Sequence, residues 1–469
     1  MPPKLPHHPN LRLAVMSLAR VRRCITIPSP QPSFNRVIRR ALTISSSCPP
    51  KHRPSRALDE YVAKPARPIS LRQLIFFGSR NLDEKRILDS ANYVRTELPT
   101  RIAHRIRDME KLPYVVITNP HLSYVYDMYY EAFDTLRKIP NVKTMEDNIM
   151  FCEIVREALK EHSTVIPRLA MGVLESRGHL PAETLDRFMN TLLRSRISRR
   201  VIAEQHLSLT DTFLNPTHFS SRHRDPNDFV GEVFLRVSAS SVIKRVGAYI
   251  QSVILQLHPT IPAVPEIKLE GHLDTTFPYI LSHLEYIIGE LLRNSIEATV
   301  IHHHKSTLAS ENASITTTPE HMPPVTVLIC NAPRHIIFRF SDVGGGIPES
   351  EKSDLWSFAK SHRNRERLDS FKRIPKMYAT LQELGTEEKE SGVLAPKAKE
   401  EVRKEASLHG LTYRPPELKL GMGLPMSRVY AEYWGGSLSQ TTMEGYGTDV
   451  FLQVEKLGNR LEQLNIDAL

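Results

Sequence analysis

Glycine-rich motifs occur three times in the second half of this chain, and their order constrains its fold more than any other feature. The first is Asp342 with the triplet Gly344-Gly345-Gly346, the second is Gly421-Met422-Gly423, and the third is Gly445-Tyr446-Gly447-Thr448. Because glycine has no side chain, a flat ring or a phosphate can approach the backbone closely at each motif. Each motif alone is also explained by a tight turn, so the interpretation depends on the ordered set.

An amphipathic helix is predicted before these motifs, over Tyr279–Val300. Its apolar residues recur at spacings of three and four, which is typical of a helix with one buried face. Glu290 and Asn294 lie one turn apart on the neighbouring stripe. If they are buried, these polar side chains need hydrogen-bond partners or a ligand. The helix is therefore a candidate wall of a binding site.

Two of the motifs have specific chemical uses. Asp342 follows a predicted strand, Ile336–Phe340, and a carboxylate at a strand end can accept a hydrogen bond from an exocyclic amine. Gly421 and Gly423 precede a predicted helix, Met426–Trp434, and the backbone N–H groups at a helix N-terminus attract phosphate.

Taken in order, these four elements resemble the GHKL superfamily of ATPases and kinases, over about residues 229–457. The resemblance implies an α+β chain in which an N-terminal helical bundle is followed by a GHKL (Bergerat-type) α/β sandwich that binds ATP. It also implies ATP and Mg²⁺ as cofactors.

The resemblance also implies roles for individual residues. Glu290 is the candidate catalytic base, Asn294 would coordinate Mg²⁺, and Asp342 would bind the adenine amine. Residues 360–420 would hold an ATP lid. The other nucleotide-binding residues implied are Gly344 and Gly346 at the adenine, Gly421, Gly423 and Leu424 at the triphosphate, and Thr448 near the adenine.

Within the superfamily, the sequence is most similar to the mitochondrial 2-oxo-acid dehydrogenase kinases. His283–Asn294 resembles their metal-binding helix, and Ile166–Ser176 and Leu185–Leu207 resemble their regulatory bundle. The resemblance implies a serine kinase that inactivates the α subunit of a dehydrogenase complex. Pyruvate dehydrogenase is the expected substrate, and branched-chain 2-oxo-acid dehydrogenase is the alternative. A homodimer and binding of the lipoyl domain of the dihydrolipoyl transacylase core are also implied.

The chain departs from this family at several positions. Lys419 replaces a usual glycine of the phosphate-binding motif, and Tyr286 stands where pyruvate-type kinases mostly have His. The region expected to form the lid contains a dense charged run, Glu387–Glu405. These departures leave the details of the lid and of the phosphate loop open.

The positive net charge is confined to the N-terminus. Eleven of the 62 Lys and Arg residues lie in residues 1–58, which leaves 51 in the rest of the chain against 52 Asp and Glu. A diffuse nucleic-acid-binding surface is therefore not supported. Residues 1–45 are rich in Arg, Ser and Pro and contain no acidic residue, which is typical of a mitochondrial transit peptide. We therefore expect the protein in the mitochondrial matrix.

The rest of the chain divides by composition and periodicity. We predict a linker over 46–68, a regulatory bundle of about four helices over 69–228, the ATP-binding kinase domain over 229–460 and a short tail over 461–469. Helices are predicted at Ser123–Lys138, Met145–Lys160 and Ala182–Leu207. No apolar run approaches the ~20 residues that span a bilayer, so no membrane span is expected.

Other functions that involve ATP are alternatives to the kinase. His223-Arg224-Asp225 matches the catalytic tripeptide of ordinary protein kinases, but no glycine-rich strand or Asp-Phe-Gly accompanies it. A two-component histidine kinase needs a phosphoacceptor His that is usually followed by an acid, and the chain has no such dipeptide. An ATP-driven clamp of the GHKL type and a non-catalytic ATP-binding scaffold stay as alternatives.

Overall fold

The computed structural model describes residues 56–77, 82–214, 229–257, 263–312, 322–360, 421–456 and 461–462. Several sequence predictions lie outside these ranges. They are the transit peptide over 1–45, the tripeptide at 223–225, Lys419 and the charged run 387–405, together with nearly all of the predicted lid.

The N-terminal half is helical. Two short helices, α1 (Arg56–Val62) and α2 (Leu71–Phe77), come first. The other α-helices in the described part of this half are α3 (Glu84–Glu110), α4 (Tyr114–Ile117), α5 (Pro120–Arg137), α6 (Met145–Glu161), α7 (Val165–Glu175) and α8 (Ala182–Leu214). Helix α3 packs against α5, α6 and α8, and α7 packs between α5 and α8. The predicted helical bundle is therefore present.

Local sequence sets several of these helix boundaries. Helix α6 begins with a capping box in which the Thr144 side chain and Asp147 exchange hydrogen bonds with each other's backbone. Helix α3 was not predicted, and Pro99 lies buried in its middle. Pro167 lies in the first turn of α7, where a missing backbone N–H costs little.

The second half is built from two sheets. β1 (Phe229–Val230), β2 (Val233–Ser238) and β4 (Thr276–Ile280) form a three-stranded antiparallel sheet. The larger sheet has the order β3-β5-β6-β8-β7. Its strands are β3 (Ile267–Gly271), β5 (Val325–Asn331), β6 (His335–Asp342), β7 (Ser437–Met443) and β8 (Gly447–Glu455). β3 and β5 are parallel, and the other pairs are antiparallel.

Helices cover this larger sheet. Among the described residues, the helices of this half are α9 (Ala239–Leu257), α10 (Leu281–Asn312), α11 (Glu349–Lys352) and α12 (Gly423–Tyr433). α10 packs on β5 and β6, and both α9 and α12 contact α10. A mixed sheet with helices against it, after a helical bundle, is the α+β arrangement that the sequence predicted.

Two of the sequence predictions in this half need correction. The helix predicted from Tyr279 begins at Leu281, because Tyr279 belongs to β4 and pairs with Phe234. The same helix continues to Asn312, beyond its predicted end at Val300. Strand β7 was not predicted, since its residues Ser437–Met443 are mostly polar.

A buried charged network ties the two halves together near residues 461 and 462. Leu461 pairs with Ser70, and the Glu462 carboxylate accepts from the Ile69 backbone N–H at 3.0 Å. Arg101 of α3 forms an ion pair with Glu462 at 2.8 Å, and the Tyr433 hydroxyl of α12 donates to the same carboxylate. Residues that the sequence assigned to a short tail therefore contact both the bundle and the sheet half. Among the described helices, none combines the length and the apolar character that crossing a bilayer requires.

Candidate active site

Asp342 lies at the end of β6 on the covered face of the large sheet. Burial alternates along this strand, so Asp342 shares a face with the buried Phe338 and Phe340. Its carboxylate accepts the backbone N–H of Gly344 at 3.0 Å and also accepts from the hydroxyl of Ser295 on α10. Burial raises the pKa of Asp342 above its usual range, and these hydrogen bonds partly offset that effect. The result is a carboxylate held in one orientation.

The glycine triplet after Asp342 lies directly against helix α10. A Cβ placed on Gly344 would be 2.6 Å from the Cβ of Ala298, so only glycine allows this approach. The loop also contacts the third motif, because Gly345 donates to the Tyr446 carbonyl at 3.1 Å and accepts from Gly445 N–H at 2.8 Å. The first and third motifs, separated by about a hundred residues of sequence, are therefore neighbours.

Thr448 joins the same group from strand β8. It is the register partner of Asp342 across the β6–β8 pair. Its hydroxyl lies 3.1 Å from that of Thr442 on β7, and Thr442 in turn accepts the Ile347 backbone N–H at 2.9 Å. Thr442 was not singled out from the sequence, since β7 was not recognised as a strand.

Glu290 and Gly423 meet at the other end of the candidate site. Glu290 is fully buried, and a Cβ placed on Gly423 would overlap its Oε2 atom. A larger residue at 423 would therefore displace either the carboxylate or the first turn of α12. The second glycine motif and the predicted catalytic residue are thus in direct contact, and Met422, before Gly423, is also buried.

Asn294 lies between these two ends. It is exposed, unlike Glu290 one turn before it, and is preceded by the buried Arg293. From Glu290 to Ala298 the helix advances about 12 Å at its usual rise, a distance that an extended nucleoside triphosphate can span. α10 therefore presents Glu290 to the second motif, Ala298 to the first motif and Asn294 to the space between.

The remaining predicted residues lie on or beside α12. Gly421 is exposed with a positive φ of 62°, and Leu424 is half-buried against the core. The hydroxyl of Tyr286 lies 3.7 Å from Sδ of Met426, so this departure from the pyruvate-type pattern contacts α12. Ser295, whose hydroxyl donates a hydrogen bond to Asp342, was not among the predicted site residues, although its neighbour Asn294 was.

The donor set can be compared with what MgATP requires. A buried carboxylate at a strand end, beside glycines that leave the backbone accessible, suits adenine. Backbone N–H groups at a helix N-terminus suit phosphates. Within the described residues, no group of three or more His, Cys, Asp or Glu side chains could hold a metal. Mg²⁺ in nucleotide sites keeps waters and takes one or two protein ligands plus phosphates, so a single side chain such as that of Asn294 would be enough.

A second cluster of polar residues lies inside the bundle. Arg196, Arg199 and Arg200 line a cavity of about 30 Å³ with His162 and Tyr129. Arg196 makes no side-chain hydrogen bond to the part of the chain that the structure describes, and burial lowers its pKa to about 10. Burial also lowers the pKa of His162 to about 3. The cavity is cationic and has no acidic residue among those that line it.

Comparison with known proteins covers both halves of the chain. A family model described as mitochondrial branched-chain alpha-ketoacid dehydrogenase kinase matches residues 68–234. The mitochondrial pyruvate dehydrogenase (acetyl-transferring) kinase 2 of Saccharomyces cerevisiae is 31% identical over 441 residues, which cover 88% of this chain and 86% of the yeast protein.

Relatives in other kingdoms are similar over comparable lengths. The mitochondrial pyruvate dehydrogenase (acetyl-transferring) kinase of Arabidopsis thaliana is 27% identical over 400 residues, 84% of this chain and 92% of the plant protein. Isozyme 3 of that kinase from Mus musculus is 26% identical over 407 residues, 84% of this chain and 81% of the mouse protein. The similarity extends through the helical half and through the sheet half that contains Glu290 and Asp342.

Proposed function

This chain belongs to the family of mitochondrial 2-oxo-acid dehydrogenase kinases, and on that premise we propose that it phosphorylates a serine of the dehydrogenase α subunit in the mitochondrial matrix. The protein is a mitochondrial protein kinase of the pyruvate dehydrogenase kinase type, and it uses ATP. One observation supports the proposed site: helix α10 contacts the first glycine motif at Ala298 and the second through Glu290.

The nucleotide is proposed to bind along this helix. Asp342 accepts the adenine amine, Gly344 and Gly346 contact the ring, and Thr448 lies near it. Gly421, Gly423 and Leu424 contact the phosphates through the start of α12. Asn294 would be the protein ligand of Mg²⁺, which, when bound, offsets the negative charge of the phosphates.

Glu290 is proposed as the general base. The serine oxygen forms a bond to the γ-phosphorus while the bond from that phosphorus to the ADP oxygen breaks, and the serine proton passes to the Glu290 carboxylate. Glu290 is fully buried behind the first turn of α12. Proton transfer therefore requires either displacement of that turn when both substrates bind or one bridging water.

Pyruvate dehydrogenase is the substrate that the full-length comparisons favour. The relatives aligned over more than four-fifths of the chain are named pyruvate dehydrogenase kinases. The branched-chain description belongs to a family model that matches only residues 68–234. A homodimer and docking of the lipoyl domain of the transacylase core to the bundle remain part of the proposal.

We expect transfer of labelled phosphate from ATP to the α subunit of the pyruvate dehydrogenase complex, together with loss of dehydrogenase activity. The purified kinase should be incubated with the pyruvate and the branched-chain complexes in parallel, with each complex incubated without kinase as the blank. Preferential labelling of the branched-chain α subunit would reassign the substrate. ATP binding without labelling of either complex would favour the non-catalytic scaffold or the GHKL clamp.

Matrix targeting is proposed to depend on the acid-free leader. Residues 1–60 fused to a fluorescent reporter should enter the matrix, because a cationic segment moves toward the negative side of the inner membrane. The chain without residues 1–45 should stay in the cytosol. Protease protection of the reporter in isolated mitochondria, before and after rupture of the outer membrane, measures the result. A reporter that stays cytosolic would contradict the proposal.

A further inference from the structure

Bundle helix α8 holds the segment Asp354–Lys360, which follows the glycine triplet and α11. The carboxylate of Asp186 accepts three hydrogen bonds from this segment. Its Oδ2 accepts from the Ser357 hydroxyl at 2.5 Å, and its Oδ1 accepts from the backbone N–H groups of Phe358 and Ala359 at 2.8 and 2.9 Å. Ser357, Phe358 and Ala359 are all buried. Loss of the carboxylate would leave buried donors unpaired, which is costly.

A second contact holds the same segment to α8. The Lys360 ammonium pairs with Glu183 of α8 at 2.9 Å. Within the segment, Ser357 Oγ accepts the Lys360 backbone N–H at 2.8 Å. Glu183 and Lys360 are exposed enough for this ion pair to contribute little. Asp186 is therefore the main point of attachment between α8 and the segment.

The opposite side of the segment contacts helix α12. The Arg428 guanidinium lies over the Trp356 ring, 5.1 Å from its centroid. Arg428 also donates to Glu432 at 2.7 Å, and Glu432 forms an ion pair with the buried Arg194 of α8 at 2.6 Å. On this side the bundle reaches α12 directly through Arg194 and indirectly through Asp186 and Trp356.

We propose that Asp186 is a positioning residue for the ATP site. By holding Ser357–Ala359, it keeps Trp356 against Arg428 and so fixes helix α12, whose first turn places Gly423 against Glu290. The bundle thereby controls the phosphate-binding end of the site through residues that touch no nucleotide. This inference rests on the proposed function only in taking the first turn of α12 as a phosphate-binding element.

Asp186 has no chemical role of its own in this arrangement. Its two oxygens already accept three hydrogen bonds, and no metal-binding group of acidic or His side chains occurs in the described part of the chain. Any effect of Asp186 on nucleotide must therefore act through the position of the segment and of α12.

We expect Asp186→Ala to weaken ATP binding by about fivefold, a change equivalent to the net contribution of one hydrogen bond. Calorimetric titration of the full chain with MgATP measures the dissociation constant without relying on kinase activity. Asp211→Ala is the matched control, because Asp211 lies on the same helix and pairs with Arg156 of another bundle helix, at the bundle surface. Asp186→Asn keeps a carbonyl oxygen for the two backbone N–H groups and should restore most of the affinity.

Tryptophan fluorescence tests the intermediate step. The chain has two tryptophans, so a Trp434→Phe background leaves Trp356 as the reporter. In that background, without nucleotide, Asp186→Ala should shift Trp356 emission to the red and increase its quenching by acrylamide, while Asp211→Ala should change neither. Unchanged emission and quenching in Asp186→Ala would overturn the proposed connection.

The affinity measurements separate this inference from the proposed function. ATP affinity of wild-type strength in Asp186→Ala would overturn the inference while leaving the kinase assignment intact. An equal loss of affinity in Asp211→Ala would also overturn it, since the effect would then come from general loosening of the bundle. A wild-type chain that fails to bind MgATP would instead contradict the proposed function.

Discussion

Replacement of Glu290 by Gln is expected to lower phosphotransfer by about 10²–10⁴-fold, the usual contribution of a positioned general base. Gln has nearly the same size as Glu, so it should still fit against Gly423 beneath the first turn of α12. It cannot take the serine proton. The rate of label transfer to the dehydrogenase α subunit should therefore fall, while ATP affinity and melting temperature stay close to those of the wild type.

A control on the same helix makes this result specific. Glu285→Gln introduces the same change at a half-buried residue that pairs with Arg245, away from Gly423. It should phosphorylate at nearly the normal rate. If Glu290→Gln loses ATP affinity or stability in parallel with rate, Glu290 has a structural or metal-orienting role. A normal rate in Glu290→Gln would rule out the base and leave only the nucleotide site.

Asp342→Asn is expected to weaken ATP binding by at least about tenfold through loss of a charge-assisted hydrogen bond. The Asn oxygen can keep the bond from the Gly344 backbone N–H, which Asp342 accepts at 3.0 Å. The amide NH₂ would then replace the second carboxylate oxygen and face the adenine amine, so that two donors oppose each other. Calorimetric titration with MgATP measures the loss.

Guanine nucleotide gives a second readout for the same change. Guanine carries a carbonyl where adenine carries its amine, so Asp342→Asn should lose less affinity for GTP than for ATP. Asp449→Asn is the matched control. Asp449 pairs with Ser341, the neighbour of Asp342, and so lies on the opposite face of the sheet. Equal ATP affinity in Asp342→Asn and the wild type would mean that the adenine site lies elsewhere.

Much of the fold could be predicted because its signals are local. The apolar spacing of α5, α6 and α8 depends on residues within one or two turns, and so does the stripe that carries Glu290 and Asn294. The alternation in β6 is equally local. Helix α3 was missed because a proline in its middle is a breaker signal, although the bundle around Pro99 accommodates it.

The contacts between distant segments could not be predicted in the same way. Strand β7 has polar residues because it pairs along one edge with β8 and is largely exposed, so no apolar run marks it. Asp186 was one of several charged residues on a helix, and nothing near it in sequence indicates that it holds Ser357. The position of Glu462, which contacts both Arg101 and Tyr433, likewise depends on three segments that are far apart in the chain.

The sequence by itself determined which residues can take part in the chemistry, namely a Glu and an Asn one turn apart, an Asp at a strand end and glycines in three loops. Those features follow from covalent order and from the periods of helix and strand. The tertiary structure alone decided that Glu290 lies buried against Gly423 while Asn294, one turn later, is exposed. That difference arises because the first turn of α12 lies against Glu290 and does not cover the Asn294 side chain, which no local pattern records.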